Sequence, residues 1–379
     1  MPSAIALGQP TVGAEELAAV AAVFETGWLA GQGPRCREFE LAFARLAGTR
    51  HALAVNNCTA ALHLAVSGLR AEPGDEVIVA DYTFPATGHA VRYAGATPVF
   101  ADVRPDTWTV DPQAVAAAIT PRTVGVIAVD SFGQCADYDE LTELTARHGL
   151  WLIEDAACAA GATYHGCPAG SFGNAACFSF HGRKGISAGE GGALTTDDDA
   201  LAASARKVHN FGIESAMDRA GQSGLPIPVF DELGYNYKLS DLAAAVMEVQ
   251  LRRLPDLLAA RRRVAEQYAM LLAGLDDVVL PYAAPDREHA WQSYVLTLGA
   301  GIDRGAVAQS LRENGIGCTF GTYASHLQPV YGQTEPCPVS ADLFARHLAI
   351  PMHANLGGAD VERVAEAVAH AVKKPADQH

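Results

Sequence analysis

The segment richest in chemical content is Ala176-Cys177-Phe178-Ser179-Phe180-His181-Gly182-Arg183-Lys184, followed closely by Gly189-Glu190-Gly191-Gly192-Ala193. A strand-like run ends in a serine, a lone lysine follows, and small residues crowd the next turn. A lysine that forms a Schiff base needs a rigid strand end behind it, local desolvation of its amine and room for a flat ring. The same residues also suit an exposed turn lysine. A second segment is Trp151-Leu152-Ile153-Glu154-Asp155-Ala156-Ala157-Cys158, with Asp155 at the end of a very apolar strand. A buried carboxylate there needs a partner. A protonated pyridine nitrogen would serve, and the pairing would keep such a ring an electron sink. A helix N-cap is the other reading, because Ala156-Ala157 can open a helix. In Asn56-Asn57-Cys58-Thr59-Ala60-Ala61, small polar residues open a helix after an apolar stretch. Its first N–H groups and the Thr59 hydroxyl can hold a phosphate, or simply cap the helix. Phe84, in Asp81-Tyr82-Thr83-Phe84-Pro85, follows a strand directly and can stack on a ring or pack in a loop.

The elements around these segments alternate. Val77–Ala80, Thr97–Phe100, Val124–Val129 and Leu150–Ile153 are short apolar runs bounded by Gly, Pro or Asp, with helical runs such as Pro85–Tyr93 and Tyr138–His148 between several of them. That is the pattern of βαβ units around a mostly parallel sheet buried on both faces, where ligands bind beyond the carboxyl ends of the strands. A long helix is expected from Ser240-Asp241, with a break or kink at Pro255. The expected division is a large domain over 1–255 and a smaller C-terminal α/β domain over 256–379. The second holds a strand at Ser293–Leu298, a helix at Asp303–Asn314 and a last helix at Asp360–Val372, and the tail from Lys373 to His379 is expected to fray.

Bulk properties narrow the function classes. The chain has 379 residues, a net charge of −16 and 18% charged residues. It is long enough for two domains, and so acidic a surface argues against nucleic-acid binding. No apolar run reaches membrane-spanning length, and the N-terminus lacks the pattern of a signal peptide. The eight cysteines form no CxxC pair and read as reduced thiols, so a cytoplasmic protein with no metal site is expected.

Taken in order, these segments resemble the DegT/DnrJ/EryC1/StrS family of aminotransferases, which act on nucleotide-linked keto sugars and on keto cyclitols. The resemblance runs from about Gly8 to Val372. It includes Gly74-Asp75-Glu76-Val77-Ile78-Val79, Ala94-Gly95-Ala96-Thr97-Pro98-Val99-Phe100, Glu154-Asp155-Ala156-Ala157, Gly189-Glu190-Gly191-Gly192, Gly234-Tyr235-Asn236-Tyr237-Lys238-Leu239-Ser240-Asp241, and Tyr323 with His326-Leu327-Gln328-Pro329-Val330-Tyr331. It implies an aspartate-aminotransferase-like fold of type I, pyridoxal 5'-phosphate (PLP, cycling with its amine form PMP) as cofactor, and a homodimer with active sites at the interface. Glutamate or glutamine is the implied amino donor. Lys184 matches the Schiff-base lysine, Asp155 the partner of the pyridine nitrogen, and Phe84 the aromatic on the ring. Cys58, Thr59 and Ser179 match phosphate ligands, and Asn236 matches an asparagine that reaches the phosphate from the other subunit. His181, Arg183, Tyr323 and His326 are the candidates for the acceptor pocket.

Three positions depart from the family pattern. Cys58 stands where Gly is usual, which a backbone N–H contact survives. Cys158 stands where Gln, Glu or His is usual near the ring hydroxyl, and a thiol is a poorer hydrogen-bond partner. Gly182 stands where Pro is common, which leaves the path of the loop before Lys184 open. Rival readings are a PMP-dependent sugar dehydratase, which carries His in place of the lysine, a non-enzymatic PLP-binding regulator, and a nicotinamide enzyme. Lys184 argues against the first, and no GxGxxG follows a first strand to support the last.

Overall fold

Alternation along the strands builds the main sheet. In the 76–80 strand Val77 and Val79 enter one apolar core while Ile78 and Ala80 enter another; Ile127 and Ile153 likewise face the first, and Val126, Ala128 and Leu152 the second. Both faces are therefore covered, as a mostly parallel sheet requires. The computed structural model describes residues 3–213, 227, 230, 232–332 and 334–373.

The seven strands are β1 (His51–Val55), β2 (Glu76–Ala80), β3 (Thr97–Ala101), β4 (Thr123–Val129), β5 (Trp151–Asp155), β6 (Ala175–Ser179) and β7 (Gly192–Thr196). Their order across the sheet is β1-β7-β6-β5-β4-β2-β3. The pairs from β6 through β3 are parallel, and β7 runs antiparallel to both of its neighbours, β1 and β6. The strands β2, β3, β4 and β5, and the helices at Ala86–Tyr93 and Tyr138–His148, lie where the alternation placed them.

A second layer contains a three-stranded antiparallel sheet built around Tyr294–Leu298 and His347–Ile350. The helices Arg304–Glu313 and Gly358–Lys373 accompany it, and their apolar faces share a core with the end of the long helix. Asp303 caps the first of these helices, accepting from the Gly305 and Ala306 N–H groups at 2.7 and 3.2 Å. Ile5 lies in the same core and bridges to Ile316, so this layer also takes residues from the start of the chain. The expected fraying falls outside the described residues from 374 onward, while Lys373 still ends a helix.

Of the break or kink expected at Pro255, the break does not occur. The long helix runs unbroken over Asp241–Leu272, through Pro255. Ser240 caps it, its Oγ accepting from Ala243 N–H at 3.2 Å. Pro255 lies on the exposed face and forfeits one backbone hydrogen bond, while Leu254 and Leu257 on either side are buried. Met247 and Leu254 enter one core of the large sheet, and Val264, Tyr268 and Leu272 enter the core of the small one. Burial along both ends outweighs the single lost bond. The expected division at 255 thus falls inside a continuous helix that joins the two layers.

Candidate functional site

The carboxyl ends of β4, β5 and β6 meet residues of the second layer around a cleft of about 280 Å³. Its lining includes Phe84, Asp155, Cys158, Arg183, Lys184 and Tyr323. Asp155 closes β5, and no helix opens at Ala156-Ala157, so Asp155 is not a helix cap. It is buried; Thr87 Oγ1 donates to its Oδ2 at 2.8 Å and the Ala157 N–H to its Oδ1 at 3.2 Å. Burial pushes the carboxyl's pKa up, against the pull of Thr87, Ala157 and Lys184. A cation brought against it would relieve that cost.

The lysine loop is braced by its own backbone. Phe180 N–H donates to Gly191 O at 2.8 Å, Gly182 N–H to Gly189 O at 3.0 Å, and Ala188 N–H to Phe180 O at 3.1 Å. Gly189 and Gly191 take φ of 86° and 156°, which favour glycine. Lys184 is half-buried rather than an exposed turn residue, and its Nζ donates to Cys158 Sγ at 3.1 Å. Burial alone would lower the pKa of its ammonium; Cys158, Cys58 and Asp155 outweigh it and hold the amine above its usual value.

Four other expected cofactor ligands, Cys58, Thr59, Ser179 and Asn236, lie near one another. The helix Cys58–Gly68 is capped by Asn57, whose Oδ1 takes the Ala60 N–H at 2.9 Å. Cys58 and Thr59 stand in the first turn, where N–H groups lack intrahelical partners. Ser179 pairs with Gly192 across β6 and β7. A Cβ at Gly192 would lie 2.7 Å from Cys58 N, so only glycine lets this helix end approach the strand that carries Ser179. Asn236 is exposed, while its carbonyl accepts from Asn56 Nδ2 at 3.4 Å beside that helix start. A carboxylate facing a lysine across a cleft, with a helix N-terminus and a serine nearby, fits a flat cationic ring carrying a phosphate.

The four acceptor candidates separate. Arg183 and Tyr323 line the cleft. Tyr323 pairs in register with Thr83, and its ring meets Phe84 edge-on at 6.0 Å. His181 is exposed outside the lining, its Nε2 3.8 Å from Glu190. His326 is not brought to the cleft. Its backbone N–H and Nδ1 engage the two oxygens of fully buried Asp81 at 2.6 and 2.7 Å, which ties the 325–327 turn to the end of β2. The ligand-type atoms of Asp81, His326 and Cys337 lie within 4.8 Å of one another. All eight cysteines are free thiols.

Sequence reasoning missed three contributors. Thr87 holds Asp155; its one signal was a hydroxyl three residues past Phe84. Gln292 lines the cleft and donates from Nε2 to Arg183 O at 3.0 Å. Arg261 donates from Nη2 to Lys184 O at 3.2 Å from the middle of the long helix. Nothing in the sequence connects these last two with the lysine.

Residues 10–369 match the DegT/DnrJ/EryC1/StrS aminotransferase family. The GDP-perosamine synthase of Caulobacter vibrioides is 39% identical to the chain, over 96% of this chain and 97% of that protein. The structure of DesI in the presence of its TDP-sugar product superposes with a TM-score of 0.89 at 36% identity, covering 99% and 94% of the two chains. Spr1654 of Streptococcus pneumoniae in its PLP form superposes at 0.91 and 25% identity, over 98% and 99%, and it is also known in a PMP form. The sheet, the cleft at its strand ends and these likenesses agree: the chain belongs to the DegT/DnrJ/EryC1/StrS aminotransferase family, as a PLP-dependent aminotransferase of fold type I.

Proposed function

We propose that the protein transfers an amino group from glutamate or glutamine to a keto sugar, with a nucleotide-linked keto-deoxy sugar as acceptor. The observation that carries this reading is a single cleft in which Lys184 and buried Asp155 lie under a wall of Ser131, Gln292, Ser293, Thr319 and Thr322. Hydroxyl and amide groups of that kind suit a polyhydroxylated ring, and Arg183 adds a cation for an anionic substituent. Two relatives support the choice, one named for a GDP-linked sugar and one solved with a TDP-sugar product.

In this reading Lys184 Nζ holds the cofactor, Asp155 pairs with its ring nitrogen, and Phe84 and Cys158 flank the ring. The amides of Cys58 and Thr59, with the Thr59 and Ser179 hydroxyls, take the phosphate. Two copies form a homodimer, and exposed Asn236 reaches the partner's phosphate. PLP supplies, when bound, an electron sink for negative charge at the donor's α-carbon. The chain's own part is proton handling and placement. Lys184 Nζ removes the α-proton of the amino donor and later returns one to the acceptor carbon. Neighbours keep that amine protonated in the free protein, so engaging Asp155 with another cation removes one charge that opposes its discharge. Arg183 and the polar wall hold the acceptor's carbonyl within reach of the same amine.

The test measures both half-reactions at low and high salt, in wild type and Arg183→Ala. The purified protein with PLP is yellow, and glutamate or glutamine bleaches it. Arg183→Ala raises KM for a nucleotide-linked keto sugar and weakens its salt dependence, with the donor half-reaction intact. An unchanged KM for that sugar, together with turnover of an uncharged keto cyclitol, would reassign the acceptor. Cofactor binding with no amino transfer would leave a regulator.

A further inference from the structure

Arg261 is 4% exposed, yet it forms no ion pair among the described residues. Its guanidinium ends on backbone carbonyls. Nη1 donates to Trp291 O at 2.9 Å and to Gln292 O at 3.3 Å, Nη2 donates to Lys184 O at 3.2 Å, and Nε has no partner. Burial pulls the pKa of this group down to about 10, with Cys158 acting the other way. A buried guanidinium without a carboxylate is costly. A helix-stabilising or core-filling role would be met better by an apolar side chain.

What the guanidinium joins explains its retention. One ligand is the carbonyl of Lys184 itself. The others belong to the 291–292 segment, which leads into the small sheet and whose Gln292 lines the cleft. That segment and its neighbour are held by three more bonds: Gln292 N–H donates to Phe132 O at 3.0 Å, Gln292 Nε2 to Arg183 O at 3.0 Å, and Ala290 N–H to Gly133 O at 2.8 Å. Trp291 carries a φ of 50°, a strained conformation for a bulky residue, which persists only where surrounding contacts over-determine it. Its ring stacks on His289 at 4.1 Å and its carbonyl lies on Arg261.

We propose that Arg261 is a positioning residue that locks the Lys184 loop to the 291–292 wall of the acceptor cleft, so that the reach of Lys184 Nζ and the shape of the cleft are set together. The guanidinium is suited to this because one planar fork spans two loops from different layers, which an ammonium cannot do. The proposal rests on Lys184 as the cofactor lysine. That premise is checked separately, by borohydride fixation of PLP to Lys184 in the wild type.

The experiment compares Arg261→Lys, which keeps charge but loses the fork, with Arg261→Met, which keeps the stem. Arg262→Ala, at an exposed neighbour, is the control. Hydrogen exchange on the cofactor-free protein should speed up at 183–187 and 291–293 together, by roughly tenfold to a hundredfold, the loss expected for one or two bonds to a charged donor. In the PLP-loaded variants the pH midpoint of the absorbance band should move. The rate constants of both half-reactions should fall and KM for the acceptor should rise. Guanidinium ion added to Arg261→Ala should restore part of the rate. If Arg261→Met does not fold, Arg261→Lys carries the test alone. Exchange that rises only around the helix at 261, with an unmoved absorbance midpoint, would reduce Arg261 to a structural role and overturn the proposal. Failed borohydride fixation in wild type would instead overturn the assignment of Lys184.

Discussion

Replacing Thr87 with valine tests how the protein keeps Asp155 ready for a cation. Thr87 and Asp155 are both buried, and the hydroxyl donates to Asp155 Oδ2 at 2.8 Å. Valine keeps the shape and removes the hydroxyl, which takes away the donor to Asp155 together with a 3.0 Å contact to Thr83 Oγ1. A hydrogen bond to a charged group contributes roughly 1.5–3 kcal/mol, and each factor of ten in rate corresponds to about 1.4 kcal/mol. On the acid side of the rate profile, below the shifted pKa, the donor half-reaction should therefore slow by roughly tenfold to a hundredfold, in proportion to the carboxylate lost. The direction with pH also follows. Burial raises the Asp155 pKa and Thr87 lowers it, so removing Thr87 raises it further and moves the acid limb of the rate profile to higher pH. Stopped-flow mixing of PLP-loaded enzyme with glutamate, followed through the bleaching of the band across a pH series, measures both effects. A variant that reacts at the wild-type rate with an unmoved acid limb would refute the argument, because Asp155 would then be held by something other than Thr87.

Other perturbations have equally definite outcomes. Lys184→Ala should lose transamination by roughly 10⁴-fold or more, since the covalent anchor and the proton carrier leave together; a tenth of wild-type turnover would remove the assignment. Mixing inactive Lys184→Ala and Asn236→Asp chains should restore some activity through heterodimers with one intact shared site, and silence at every ratio, with heterodimers demonstrated, would end the shared-site reading. Asp130 and Glu154 are fully buried and face each other, and burial followed by that contact raises Glu154, while burial pushes Asp130 from 3.8 to about 6. Carboxyls raised in the folded state bind protons that the unfolded chain has released, so stability falls as pH rises from about 3.8 through about 6 on account of Asp130, and raised Glu154 adds to the decline. Asp130→Asn should flatten that decline in melting temperature, because an amide at this position cannot ionise. An equally steep decline in the variant would assign it to other groups.

Most strands of the parallel part of the sheet, the order of the motifs and the two residues at the centre of the candidate site were legible in the chain. Apolar runs that alternate with helical ones have one compact solution, a parallel sheet with both faces covered. Asp155 stands at a strand end and Lys184 in the loop that follows one, where such sheets present chemistry. Caps at Asn57, Ser240 and Asp303 were local signals with local consequences. The break expected at Pro255 is absent because a local rule does not know which face of the helix is buried. Burial belongs to tertiary contacts, and here it outweighs one missing hydrogen bond. His326 sits in a motif like the others, but only the fold decides that its partner is Asp81, more than 240 residues earlier, rather than a substrate. Thr87, Gln292 and Arg261 show the same limit more sharply. Each acts through a contact with a distant part of the chain, and neither composition nor spacing encodes a distance in space. The sequence by itself determined which groups exist and which elements carry them; the packing of the small layer and the long helix against the strand ends decided which of those groups meet, because only close packing converts a list of side chains into bonds of defined length.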